Sequence, residues 1–285
     1  MVALPTAGAG ERVEHADELL ARVVAGVPGG GPQRPEPRLV DLVEVRQHQV
    51  VLAREVLVEG RPPRTGFDMR IAVLGTGMVG RAIAARAAEL GHEVTVGTRD
   101  VAATRAGDWA DWAASHPRVG LAGHADATRG SELVVNATSG AGSLTALAAA
   151  GEENLAGKVL LDIANPLDFG NGFPPTLSVL NDDSLGERIQ RAFPRTRVVK
   201  ALNTLTADLM THPRQLADGD HSVFVCGDDP DAKKTVAELL ADFGHTDVID
   251  LSDITTARGT EMLLPLWLRL YGKLGTGIFN IKVVR

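Results

Sequence analysis

The feature that most constrains this chain is the stretch Arg70-Ile71-Ala72-Val73-Leu74-Gly75-Thr76-Gly77-Met78-Val79-Gly80. A β-branched apolar run stops at glycine, a G-x-G-x-x-G follows, and Arg81 to Leu90 then has strong helix-forming composition. Gly91 sits where a helix-ending C′ glycine belongs. Strand, glycine turn and helix therefore come in the order that a dinucleotide needs. Gly75 permits the tight turn, Gly77 lets the backbone approach a pyrophosphate, and Gly80 lets helix and strand pack closely. The free N–H groups of the helix start then face the phosphates. A lone glycine motif is weak evidence; set between a buried-type strand and a helix it points to a nucleotide site.

The length of 285 residues fits one large domain, or one domain with an appendage. A formal net charge of −7 with interspersed Lys and Arg leaves no basic patch for nucleic acid or an anionic membrane surface. No apolar run approaches the roughly 20 residues needed to span a bilayer, and the first residues do not read as a secretory signal. The single cysteine, Cys226, lies in the strand-like Ser222 to Cys226 and reads as a buried thiol, not a nucleophile. These features point to a reducing cytoplasm.

Residues 1–68 differ from the rest. They hold seven of the 15 prolines, a triple glycine at 29–31 and a single aromatic residue, Phe67. An amphipathic helix is readable over 11–27, an extended linker over 28–37, and either a strand or a helix over 50–58. Met69 directly precedes the first strand. The segment is thus either an N-terminal extension, flexible or partly ordered, or the product of an upstream start. From 69 to 285 apolar runs alternate with helical patterns, which predicts an α/β, doubly wound Rossmann-type parallel sheet with a C-terminal helical closing segment. Strands are expected at 93–97, 119–122, 132–136, 158–162, 197–201, 222–226 and 247–251. Helices are expected at 101–115, 142–151, 183–193, 230–243 and 254–271, with a glycine- and proline-rich loop over 167–175. Trp109 and Trp112 read as core anchors.

In an NAD site an acid near the end of the second strand binds the ribose hydroxyls. Here that strand ends in Gly97-Thr98-Arg99. An acid there would repel a 2′-phosphate, whereas Arg99 pairs with it, so the composition favours NADP.

These residues resemble the F420-dependent NADP reductase family. The similarity runs from Met69 to the C-terminus and rests on the glycine loop, on Gly91 to Arg99, on Val198-Val199-Lys200-Ala201-Leu202-Asn203-Thr204 and on Val225-Cys226-Gly227-Asp228-Asp229. Leu264-Pro265-Leu266, Gly275-Thr276-Gly277 and Ile281-Lys282 add the family's closing segment. The resemblance implies that Thr76, Gly77, Met78 and Val79 touch the NADP phosphates and that Thr98 and Arg99 hold the 2′-phosphate. It also implies that Thr138, Asn165 and Ala207 lie along the nicotinamide half. The chain departs from the family's archaeal members at Thr138-Ser139-Gly140-Ala141-Gly142, where they carry proline and aromatic residues, and at Asn203, where they carry histidine. Both departures face the deazaflavin side.

Hydride transfer between two heteroaromatic cofactors needs stacking and exclusion of water more than reactive side chains. No Tyr-x-x-x-Lys pair, metal-spaced Cys/His cluster or G-x-S-x-G elbow is present. Lys200 and Asn203, past a strand's carboxyl end, are the candidates for catalytic work. Lys200 reads either as a group that polarises a carbonyl or holds an acidic substrate, or as a salt-bridged strand-end lysine. The expected activity is hydride transfer between NADP(H) and a deazaflavin (F420) or similar redox cofactor. The alternatives are a reductase of a small carbonyl or imine, and a non-catalytic NADP-sensing protein. The apolar content of 254–272 further predicts a homodimer.

Overall fold

In the computed structural model, which describes residues 69–285, the glycine-terminated strand forms as β1 (Arg70–Leu74), and the helix Met78–Glu89 follows it. The expectations for residues 1–68 lie outside the described residues. The other strands of the main sheet are β2 (Glu93–Thr98), β3 (Val119–Gly123), β4 (Leu133–Asn136) and β5 (Val159–Asp162). A hairpin of β6 (Leu167–Asp168) and β7 (Thr176–Leu177) comes next. It lies where the sequence suggests only loop, because its strands are two residues long and carry no alternation. The sheet is completed by β8 (Arg197–Ala201), β9 (Ser222–Cys226) and β10 (Asp247–Asp250).

The eight strands lie in the order β10-β9-β8-β5-β4-β1-β2-β3. From β3 across to β8 every pairing is parallel. The expected parallel sheet is present, with one antiparallel pairing in it: β8 and β9 run in opposite directions, with Lys200 opposite Cys226, while β9 and β10 are parallel to each other. The short helix Ala207–Thr211 lies in the β8–β9 connection, which joins antiparallel neighbours. Both faces of the sheet are covered. Ile71, Val73, Val94, Val96, Leu133 and Val135 pack into one core layer, and Ala72, Leu74, Val134, Leu160 and Val198 into the other. That two-sided burial is why the strands read as continuous apolar runs and not as alternations.

Two expected helices are broken. The one over 101–115 divides into Val101–Ala106 and Trp109–Ser115 at Gly107. Trp109 is buried there and packs against Trp112 with the rings tilted by 45° and their centroids 4.7 Å apart. The closing helix divides into Ala257–Met262 and Leu264–Leu274, after a short turn over Ile254–Thr256. Pro265 stands in the first turn of the second piece, where its missing N–H is harmless, and its ring would collide with a carbonyl one turn earlier in a continuous helix. Helix Pro230–Phe243 forms as expected, with Asp229 Oδ1 accepting from Ala232 N at 2.8 Å. Cys226 is buried, and burial pushes its thiol up to about 11. No helix among the described residues is long and apolar enough to cross a membrane.

The base of the sheet is locked by a buried histidine. His245, 5% exposed, donates from Nε2 to Met210 O (3.0 Å), and burial lowers its pKa from 6.5 to about 4. The folded state therefore resists a proton that the unfolded chain accepts near 6.5. The stability tied to its neutral form is complete above that value and is lost as pH falls toward 4. Denaturant unfolding should lose about 3 kcal/mol across that window, and His245→Gln should flatten the slope there.

Candidate functional site

The carboxyl ends of β1, β2, β3, β4, β5 and β8 share one edge of the sheet. The strand order reverses between β1 and β4, which opens the crevice where doubly wound sheets bind ligands. Three glycines shape its floor differently. Gly75 has φ +123°, donates its N–H to Gly97 O (3.1 Å), and has no room for a side chain, since a Cβ would lie 2.5 Å from Ala137 O. Gly80 is closed off by Gly75 itself, whose carbonyl oxygen would be 2.1 Å from a Cβ. Gly77 is exposed, and a Cβ there would meet nothing within 4 Å.

Gly77 is also the N-cap of helix Met78–Glu89, which has no side-chain cap and no acid in its first turn. Its first N–H groups consequently open onto free space with the positive end of the helix dipole behind them. Thr76, Met78 and Val79 are half-buried around this opening. Arg81 was not singled out by sequence and holds the loop in place. Its Nε donates to Thr76 O (2.8 Å), its guanidinium pairs with Asp108 (2.6 Å), and it stands 5.7 Å over the Trp109 ring. The Arg81 bond holds the Asp108 carboxyl below its ordinary range.

At the end of β2, Arg99 is exposed and makes no hydrogen bond or ion pair among the described residues. Asp100 is turned to a different task, capping helix Val101–Ala106 through Ala103 N (3.0 Å). Thr98 is buried, and its hydroxyl shares a hydrogen bond with Thr104 Oγ1 (2.8 Å).

The other half of the edge is built around Lys200. The structure corrects the reading of this residue as a group that meets substrate: its side chain is 0% exposed. Its ammonium pairs with Asp162 Oδ2 (2.8 Å) and Glu261 Oε1 (2.9 Å) and donates to Ala164 O. Burial works against the charge, but the two carboxylates outweigh it and its pKa lies above the ordinary lysine value. Glu261 also accepts from Leu185 N (2.8 Å) and Gly186 N (3.1 Å), at the start of helix Leu185–Ala192. From Asp162 Oδ1 the network continues to Asn136 Nδ2 (2.8 Å). Asn136 Oδ1 then accepts from Thr138 Oγ1 (2.7 Å), which places that half-buried hydroxyl.

Asn203 is likewise committed. Leu202 takes φ +63°, an unusual backbone for leucine, and the turn brings Asn203 back over the sheet edge. Its Nδ2 donates to Asn165 Oδ1 (3.0 Å) and to Thr260 O (3.1 Å), while Asn165 Nδ2 returns a bond to Asn203 O (2.8 Å). Ala207 opens helix Ala207–Thr211 and is 2% exposed, so only its backbone is on offer. Gly140 opens helix Gly140–Ala150 so close to Asn165 that a Cβ would lie 2.0 Å from that residue's carbonyl oxygen. Asn136, Asp162 and Glu261 escape sequence reading because the bonds that join them into this network reach residues 26 to 76 positions away. No group of three His, Cys, Asp or Glu that could hold a metal occurs among the described residues.

Removing the ammonium leaves two carboxylates buried together. Lys200→Met should cost about 3–5 kcal/mol in denaturant unfolding, and adding Glu261→Gln should recover part of the loss.

A family model described as NADP oxidoreductase coenzyme F420-dependent matches residues 70–166. The fold is similar to a solved structure from Arthrobacter sp. FB24, a candidate F420-dependent NADP reductase, at 62% identity and a TM-score of 0.75. That match covers 76% of this chain and all of the other. The F420-dependent NADP reductase of Methanothermobacter marburgensis is 30% identical over 211 residues, which are 71% of this chain and 92% of its own. Rat metalloreductase STEAP3 is 31% identical over 206 residues, and this chain spans only 38% of its length. The chain belongs to the F420-dependent NADP reductase family.

Proposed function

We propose that this protein is an NADP-dependent oxidoreductase that passes a hydride between NADP(H) and a deazaflavin of the F420 type or a similar redox cofactor. The observation that carries the reading is the open, uncapped, acid-free helix start at Gly77, with an unpaired Arg99 at the end of the neighbouring strand. A pyrophosphate fits the space that a side chain on Gly77 would fill, and a 2′-phosphate fits beside Arg99. Gly75, Thr76, Gly77, Met78, Val79 and Gly80 would hold the pyrophosphate, Arg99 and the Thr98 turn the 2′-phosphate. Thr138, Asn165 and Ala207 would flank the nicotinamide half.

When NADPH is bound, the chemistry available is donation of a hydride from its reduced nicotinamide ring. The chain's own contribution is orientation. Thr138 Oγ1 is held by Asn136, and Asn165 is held by Asn203, so each presents a fixed polar atom at the crevice wall. No ionisable side chain needs to give or take the transferred hydrogen. Lys200, sealed away from the crevice, is not in a position to polarise a small carbonyl, which favours the deazaflavin reading over a carbonyl or imine reductase. NADPH oxidation measured with F420, with a flavin and with a panel of carbonyl compounds tests the acceptor. A nucleotide that binds without any turnover would favour the sensor.

Arg99→Ala should weaken NADPH by about tenfold and leave NADH almost untouched, since one exposed charge-assisted contact is lost. High salt should shrink the wild-type preference. Equal losses for both nucleotides in parallel titrations would remove Arg99 from cofactor choice.

The reading includes a homodimer through the closing segment. Trp267, part of that segment's apolar content, is buried within its own chain, stacked on Tyr271 and Phe279. The exposed large apolar residues there are Met262 (39%), Leu266 (54%), Leu274 (55%), Ile278 (40%) and Val284 (90%). Sedimentation should give a dimer at micromolar concentration, and Leu266→Arg with Leu274→Arg should give a monomer. A wild type that sediments as a monomer would end this idea.

A further inference from the structure

His124 is the first residue past β3, and Arg99 is the first past β2. These strands pair in parallel with Thr98 opposite Gly123, so Arg99 and His124 leave the sheet side by side on its crevice edge. His124 is 6% exposed. Its Nδ1 is turned inward against Gly97, where a Cβ would lie 3.0 Å away, and has no hydrogen-bond partner. Nε2 makes no hydrogen bond among the described residues either, and it is not sealed as Nδ1 is. It is the nitrogen left for an incoming group. Nor does the ring serve the local fold, since helix His124–Arg129 takes no side-chain cap from this end.

The surroundings hold this imidazole neutral. Burial, and then the positive charge of Arg99, keep it below the ordinary histidine value. Among the described residues, no carboxylate packed around it is available as a counter-ion. Asp126 is paired with Arg129 on the same helix (2.8 Å), and Glu152 and Glu153 pair with Arg195. Glu93 and Arg70 stand at the far ends of β2 and β1, with Arg70 beside Glu132. Helix Gly140–Ala150 carries no ionisable side chain, Lys158 binds carbonyls at the far end of helix His124–Arg129, and Asp100 is spent on Ala103 N. The site around Arg99 and His124 thus has a cation, a proton acceptor and, among the described residues, no uncommitted carboxylate.

We propose that His124 is a proton-linked specificity residue of the nucleotide site. A 2′-phosphate arriving beside Arg99 supplies the missing anion, His124 takes one proton from solvent, and imidazolium and guanidinium hold the phosphate together. NADH lacks that phosphate and draws no proton. The inference rests on the NADP reading above and adds that the preference for NADPH strengthens as pH falls.

Calorimetric titration of the full chain with NADPH and with NADH, in two buffers of different ionisation enthalpy, measures the proton directly. Wild type should take up a proton with NADPH and none with NADH. His124→Asn should show less uptake than wild type by the histidine's share, and the difference cancels the phosphate's own ionisation. Between about pH 8 and about pH 6, NADPH affinity should rise about three- to tenfold more in wild type than in His124→Asn. His124→Gln serves where the asparagine form does not fold. NADPH preference with equal uptake in wild type and variant would overturn this inference and leave the NADP reading standing. A wild type that binds NADPH no tighter than NADH would overturn both.

Discussion

An ammonium with no access to water holds the centre of this molecule together. Lys200 draws Asp162 from the neighbouring strand and Glu261 from the closing segment onto one point, and Glu261 in turn caps helix Leu185–Ala192. One cation against two carboxylates leaves a net negative charge in the interior, offset by the two N–H groups at that helix start. Such an arrangement contributes little net stability compared with an apolar core. What it does contribute is register: β5, β8 and the C-terminal segment have a single way to meet, and the polar chain through Asn136 to Thr138 inherits that placement.

The two halves of the edge differ in how they were readable. The β1–β2 half is local in sequence. Its turn, its helix and the end of β2 lie within Arg70 to Arg99, and glycine spacing states the geometry directly. The other half joins residues far apart, and nothing near Lys200 in sequence announces Asp162 or Glu261. Asn165 and Asn203 were visible as candidates, but their mutual bonds were not, because Leu202 turns the chain through a conformation that leucine seldom adopts. The same division explains the helices. Pro265 and Gly107 were on view as breakers, yet the apolar pattern continued across both and hid the interruptions.

The adjacency of Arg99 and His124 is a product of register. Nothing in a single strand places them together, and a shift of one residue between β2 and β3 would separate them. The cores on both faces of the sheet resist such a shift, since the inward positions of each strand would have to exchange layers. On the proposal above, cofactor choice would depend on packing well away from the phosphate.

The three glycines of the first turn differ in what keeps them glycine. Gly75 and Gly80 are held by the protein's own backbone, so any descendant that folds must retain them. Gly77 faces open space and answers only to what comes from outside. Under drift, a lineage that abandoned the nucleotide would be free to replace the middle glycine while the outer two persisted. Among diverged copies of this fold, the middle position is therefore the one that separates working sites from relics.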